Sequence, residues 1–232
     1  MLRKETITHD MLTMIRTLQR NRLFDGFSLV GGTALALQLG HRQSVDIDLF
    51  STDKHDYQVI LNYFNNNFSN IKIFYFQEHS LQITVDTLKI DLVSVKGNIL
   101  EPPKTIEGVT MLGINDISAM KLSAIEGRKS AKDYIDIVYL LKEMSLETMF
   151  KNYTAKYNDR DIMGAKKALS AANMVNPYEW QLVSMLKNDI FISDIPRILA
   201  DEAVNFTKKA NKNGNESLFN IFLRNFKRQN NP

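Results

Sequence analysis

Residues 27–50 read FSLVGGTALALQLGHRQSVDIDLF, and this stretch decides how the rest of the chain is interpreted. A short apolar run, Phe27-Ser28-Leu29-Val30, passes through Gly31-Gly32-Thr33 into an Ala/Leu segment and ends in Asp46-Ile47-Asp48-Leu49-Phe50. The order predicts strand, glycine turn, short helix and acidic strand. Alternate residues of a strand face opposite ways, so Asp46 and Asp48 project to one side while Ile47 and Leu49 project to the other. Two carboxylates sharing one patch repel, which costs free energy unless a cation lies between them. Mg²⁺ suits the position, because it takes hard oxygen ligands and is commonly held by one or two carboxylates together with substrate phosphates.

The glycine turn supplies the other half of a phosphate site. Gly31 and Gly32 let the backbone approach a ligand closely. Thr33 is expected to cap a helix over 34–39, and Gly40 stands where a left-handed residue closes such a helix. The start of that helix directs N–H groups and the positive end of its dipole at an anion. Taken singly, a Gly-Gly pair is a turn and an Asp-x-Asp pair is two solvated acids. In this order and at this spacing they describe a metal-phosphate site.

The chain has 232 residues, 44% hydrophobic and 24% charged, which fits an ordinary globular protein of one large domain or two small ones. No apolar run has the length a membrane span needs, and the opening Met1-Leu2-Arg3-Lys4-Glu5 lacks the apolar core of a secretion signal. The absence of cysteine excludes disulfides and thiolate metal sites and fits a reducing cytoplasm. The net charge is +3, with Lys208, Lys209, Lys212, Arg224, Lys227 and Arg228 gathered near the C-terminal end beside Glu216. That basic stretch reads either as a nucleic-acid contact or as a solvated helix face.

Residues 8–22 read as an amphipathic helix with Met11, Ile15 and Leu18 on one stripe. Ser51-Thr52-Asp53 is expected to cap a helix over 57–66. Strands follow over 71–77, 81–85 and 88–95, joined by short polar breaks, and a further short strand over 109–112. Asp91 stands inside the third of these strands; if that strand lies beside the one carrying Asp46 and Asp48, the three acids form a metal-binding triad. Helices are expected over 115–126, 130–141, 146–157, 160–172, 177–187, 196–210 and 216–228, with Ser130 to Asp133 as a capping box and Asn176 as a cap before Pro177. The fold class is α+β, with a small mixed sheet flanked by helices over 1–112 and an all-helical domain over 113–232. If one helix continued through Gly127, spacings of seven and four would align Lys121, Arg128 and Lys132 as a basic stripe for a triphosphate, with Asp133 or Asp136 orienting one cation.

These groups imply metal-assisted phosphoryl or nucleotidyl transfer. Two Mg²⁺ ions bridged by Asp46 and Asp48 act on the α-phosphate and the departing pyrophosphate, while Asp91 holds the ion on the hydroxyl side and is placed to accept its proton. No cysteine, Ser-His-Asp order or zinc spacing competes, and His9, His41, His55 and His79 read as structural or surface residues.

Gly-Gly, then an acid pair in a hydrophobic strand, then a lone strand Asp is similar to the pattern of the DNA polymerase β-like nucleotidyltransferase superfamily. GGTALALQLGHRQSVDIDLF with KIDLV and MKLSAIEGRKSAKDYIDI more closely resembles the AbiEii/AbiGii toxin family, the nucleotidyltransferase half of type IV toxin–antitoxin and phage-abortive systems. The resemblance covers residues 27–141. It implies a minimal nucleotidyltransferase fold followed by a helical domain, use of an NTP with Mg²⁺, a cognate antitoxin and, for some members, transfer onto tRNA acceptor ends. By position it assigns Gly31, Gly32 and Thr33 to the nucleotide loop, Arg42 and Ser44 to the approach to the acidic strand, and Asp46 and Asp48 to metal. Asp91 matches the third carboxylate, Lys121 the lysine that contacts NTP phosphates, and Asp133 the late acidic position. The wider superfamily favours Gly-Ser; here threonine follows the glycines, which leaves phosphate contact by a hydroxyl to Thr33. Two rivals stay open: transfer onto a protein or small molecule, and a nucleotide-binding module without turnover.

Overall fold

The computed structural model describes residues 1–95, 97–158 and 160–212. The helix expected over 216–228, and with it Arg224, Lys227 and Arg228, lies outside the described residues.

After a single 3-10 turn at Lys4–Thr6 comes α1 (His9–Gln19), whose first turn is closed by Thr8 accepting from the Met11 N–H. Then come β1 (Ser28–Leu29), α2 (Gly31–Leu39), β2 (Asp46–Ser51) and α3 (Tyr57–Asn67). A meander of β3 (Ile71–Gln77), β4 (Ser80–Val85) and β5 (Leu88–Ser94) leads to the hairpin β6 (Lys104–Ile106) and β7 (Val109–Met111). The remaining described elements are helices: α4 (Ile114–Gly127), α5 (Ala131–Glu143), α6 (Leu146–Lys156), α7 (Met163–Leu169), α8 (Pro177–Gln181) and α9 (Ile195–Lys212). The seven strands form one mixed sheet in the order β3-β4-β5-β2-β1-β7-β6. β2 pairs with β5, and β1 with β7, in parallel; the other pairs are antiparallel.

Register follows from the apolar alternation. Ile47 and Leu49 of β2, Ile90 and Leu92 of β5, and Ile83 of β4 are wholly buried on one face. Each such side chain contributes about 1.5–3 kcal/mol, and a slip of one residue would turn all of them to the acidic face. The apolar core continues without a break into the helical part, through Ile117, Leu122, Ile125, Tyr134 and Ile135.

Several local expectations are corrected. α2 begins at Gly31 rather than Ala34, its N-cap is Val30, and no side chain caps it. Thr33 lies inside the first turn, buried, with its hydroxyl bonded to Ser44 Oγ at 2.8 Å and to the Asp46 carbonyl; it is neither a cap nor a hydroxyl open to phosphate. α3 is capped by Asp56, which accepts from the N–H groups of Gln58 and Val59, and not by Ser51 to Asp53. Neither Asn115 nor Asp116 caps α4, whose N-cap is Gly113. Ser130 is the N-cap of α5, yet its hydroxyl makes no capping bond, and the Asp133 carboxylate, which a capping box would turn back to the Ser130 N–H, is drawn to Lys121 and Arg128 instead. α4 ends at Gly127 and Arg128 is extended, so Lys121, Arg128 and Lys132 do not share one continuous helix. Asn176 does cap α8 through the Tyr178 N–H, but that helix stops at Gln181. The chain after it runs alongside residues 41–43, with Gln43 N donating to the Ser184 carbonyl at 2.8 Å and Leu186 N to the His41 carbonyl at 2.9 Å.

Candidate active site

The parallel pairing of β2 with β5 sets Asp46 opposite Lys89 and Asp48 opposite Asp91, and β4 sets Gln82 opposite Asp91. Residues opposed across a sheet share a face, so the three acids meet on the side away from the apolar layer. Their surroundings differ. Asp46 Oδ2 accepts from Lys132 Nζ at 3.0 Å, and Lys89 Nζ stands 4.0 Å from Oδ1. Burial pushes this carboxyl up, but Lys132, Lys89 and Arg42 together hold it below the ordinary aspartate range. Asp91 Oδ2 accepts from Gln82 Nε2 at 3.0 Å and lies 3.3 Å from Lys89 Nζ, whereas Asp91 Oδ1 is buried without a partner.

Asp48 has no side-chain hydrogen bond or ion pair among the described residues. The residue is half-buried. Burial, then the charges of Asp91 and Asp46, push its pKa up to about 6 against the pull of Lys121 and Lys89.

The start of α2 closes one wall. Gly31 has φ +68°, and a methyl group there would collide with the Asp48 carboxylate. A methyl group on Gly32 would collide with the Arg42 guanidinium. Both glycines therefore answer a close approach by a charged group. With no capping side chain, the first-turn N–H groups of α2 remain unspent beside Asp48, at the positive end of the helix dipole.

Behind this wall lies a buried ionic cluster. Asp136 accepts both Nε and Nη2 of Arg42, at 2.7 and 2.8 Å, together with His41 Nε2 at 2.7 Å, and it pairs with Lys121 Nζ at 2.6 Å. Lys121 also reaches Asp133 Oδ1 at 2.8 Å, and Arg128 Nε holds Asp133 Oδ2 at 2.7 Å. Burial opposes ionisation of Asp136, yet Arg42, Lys121 and the His41 hydrogen bond hold it well below the usual carboxylate range. Asp133 is lowered in the same way, burial being outweighed by Lys121 and Arg128. Burial likewise opposes the charge on Lys121, but Asp136 and Asp133 raise its pKa. Arg42 and Lys121 are 3% and 5% exposed, so these two cations are enclosed. Arg128 and Lys132 sit on the rim with side chains 62% and 43% exposed.

Thus Asp46, Asp48, Asp91, Gly31, Gly32 and Lys132 gather on one face of the sheet, while Arg42, Lys121 and Asp133 form the layer beneath them and Arg128 bridges the two. Ser44 is buried against Thr33. Asp136 orients Lys121, one of the cations of the expected stripe, and anchors Arg42 as well, and His41 is part of the same cluster. The signal for Asp136 was available: it stands between Ile135 and Ile137 in an apolar helix, where a carboxylate must be paired if buried.

Among the described residues no group of three His, Cys, Asp or Glu side chains forms a ready metal cage. Asp46 is turned toward Lys132, which leaves Asp48 and Asp91 as the adjacent pair. A hard divalent cation fits that pair: one carboxylate lacks any counter-ion and the other presents an orphaned buried oxygen, and Mg²⁺ takes its remaining ligands from water and phosphate.

Residues 13–232 match the sequence pattern of the family described as "Nucleotidyl transferase AbiEii toxin, Type IV TA system". An uncharacterized protein of Aquifex aeolicus (strain VF5) is 29% identical over 148 residues, which span 62% of this chain and 72% of that protein. Among solved structures, JHP933 from Helicobacter pylori superposes with a TM-score of 0.57 at 20% identity, over 93% of this chain and 99% of that one. A second Helicobacter pylori structure gives 0.58 at 19% identity, covering 88% and 98%. At these identities the likeness to the two structures establishes the fold.

Proposed function

The chain belongs to the AbiEii nucleotidyl transferase toxin family of type IV toxin–antitoxin systems, and from that premise we propose that it moves a nucleotide from a Mg²⁺-bound NTP onto the 3′ end of an RNA. tRNA is the expected acceptor and a cognate antitoxin the expected restraint. The observation that carries this reading is the pair Asp48 and Asp91, one carboxylate without a counter-ion and one with a buried unpartnered oxygen, beside the uncapped start of α2.

Asp48 and Asp91 would hold Mg²⁺, with Asp46 joining them once Lys132 turns to the polyphosphate. The metal, when bound, neutralises phosphate charge and favours ionisation of a hydroxyl. The first-turn N–H groups at Gly31 and Gly32 receive phosphate oxygens. Lys132 and Arg128, on the rim, face the β- and γ-phosphates. Lys121 and Asp133 act one layer back: Lys121, fixed by Asp133 and Asp136, lends positive potential to the acidic site from beneath, and Arg42 supports the Gly32 turn. In the transfer the acceptor hydroxyl oxygen bonds to the α-phosphorus, the bond to the bridging oxygen breaks, pyrophosphate leaves, and the hydroxyl proton passes to Asp91. The protein contributes position and electrostatics.

Incubation with each labelled NTP, Mg²⁺ and total tRNA tests the proposal. Label on RNA is expected with the wild-type protein and none with Asp48→Asn. Label on protein or on a small molecule, with RNA unlabelled, would overturn the acceptor assignment. NTP binding without any labelled product would overturn transfer itself.

A further inference from the structure

β3 is one of the two edge strands of the sheet, and Phe74 and Tyr75 on it are 53% and 50% exposed. Exposed rings at a sheet edge invite unwanted association unless something uses them. Here the cross-strand register ties them to the acids. Tyr75 opposes Gln82, Gln82 opposes Asp91, and Asp91 opposes Asp48, so the four side chains form one row on the acidic face. The neighbouring row on that face is Lys72, Thr84, Lys89 and Asp46. At about 4.8 Å per strand, Tyr75 is roughly 10 Å from Asp91 along the sheet.

The backbone is adjusted at this point. Register slips between Ile73 and Tyr75, which makes Phe74 an inserted residue opposite the same stretch of β4. Such bulges re-aim side chains. Lys72 Nζ lies 4.9 Å from the centre of the Phe74 ring, which sets Phe74 on the face of Lys72 and the acids. Two aromatic planes and a cation thus prolong the acidic face on the side of Asp91, the carboxylate assigned above to the attacking hydroxyl.

Resting on the RNA-acceptor reading of the site, we infer that Phe74 and Tyr75 form a stacking ledge for the unpaired bases just behind the 3′ terminus of the acceptor, with Lys72 beside its phosphates. Sheet-borne aromatics that stack successive bases, flanked by cations for the backbone, are a general solution for single-stranded RNA. An alternative occupant, a second protein chain paired along the β3 edge, would use Ile73 and Phe76 on the opposite face as much as the ledge.

The test is steady-state transfer onto total tRNA by full-length protein, varying tRNA and NTP separately, with sedimentation velocity in parallel. Phe74→Ala and Tyr75→Ala are each expected to raise the apparent KM for tRNA about tenfold, with the KM for the NTP within twofold and Tyr75→Trp restoring the wild-type value. Ile73→Ser, on the other face, should leave the tRNA KM unchanged. Unaltered tRNA KM in both alanine variants would overturn the ledge, as would loss of a wild-type dimer in them. Failure of the wild-type protein to label tRNA would sink the acceptor reading and the ledge together, whereas labelled tRNA with unimpaired ledge variants sinks the ledge alone.

Discussion

Asp48 is a carboxylate held against its own preference. Its pKa in the fold is about 6, above the ordinary 3.8, so the native state binds a proton more tightly than the unfolded chain and the charged form is the strained one. The penalty is absent below the unfolded value, grows as pH rises from about 4 to 6, and is fully present above. Asp48→Asn should therefore raise the melting temperature of the metal-free protein at pH 7.5, by the equivalent of about 1–2 kcal/mol once residual solvent access is allowed for, while abolishing transfer. By pH 4 the gain should vanish; thermal melts of both proteins across this range check it, and a loss of stability at pH 7.5 would contradict it. Asp136 behaves oppositely. Its lowered pKa means that its stabilisation is present above about pH 4 and lost as acid protonates it. Asp136→Asn strands Arg42 as an enclosed cation and leaves Lys121 with Asp133 alone, with an expected cost of about 3–5 kcal/mol in urea denaturation. The two acids also differ in legibility. Asp46, Asp48 and Asp91 could be read because a period of two assigns strand residues to faces. Asp136 meets Arg42 across 94 positions of chain, and no local spacing announces such a partner.

At the scale of single elements, the strands of the meander and most helices emerge where the apolar period places them, because tertiary burial and local pattern agree. The ends do not. α2 starts three residues early because its opening turn is built against Asp48 and Arg42 and not around a capping hydroxyl, so the rule that finds Thr33 misplaces the boundary. β6 has no signal in the sequence, because Lys104-Thr105-Ile106 is a three-residue edge strand, too short for an alternation to register. α8 stops at Gln181 because the following residues bond to the backbone of 41–43, a tertiary competitor that helix propensity cannot weigh. The two ends of α2 yield a matched pair of predictions. Gly31 and Gly40 have φ of +68° and +69°, so alanine at either is strained by roughly 1–2 kcal/mol. Gly40→Ala meets the flexible Arg3 side chain and should lose that much stability while keeping transfer activity. Gly31→Ala must also displace Asp48, so its transfer should fall by a factor of about 100 or more at similar stability. Equal activity in the two variants, measured with the same labelled NTP, would remove Gly31 from the site.

Across the whole molecule, the mixed sheet and the helices behind it depend on one another in a way that their different patterns conceal. The sequence changes character near residue 112, which suggests two separable domains. Yet the counter-ion for Arg42 is Asp136 of α5, the residues after α8 run along His41 to Gln43, and Leu35 and Leu37 of α2 belong to the same apolar cluster as α4 and α5. An isolated fragment of residues 1–112 would expose that apolar surface and deprive Arg42 of its counter-ion. The expected outcome is that this fragment does not fold, giving amide proton signals collapsed into the narrow range of an unstructured chain. For the full protein, Trp180, the single tryptophan, lies in the helical part and packs 6.4 Å from the Tyr134 ring, so its fluorescence follows that part while far-UV circular dichroism follows both. Coincident urea transitions by the two probes are expected. A folded fragment, or a tryptophan transition displaced from the dichroism curve, would show that the helices merely accompany the acidic sheet. Coincidence would mean that the layer holding Arg42 and Lys121 in place forms only when the whole chain folds, and with it the charge balance that leaves Asp48 unpaired.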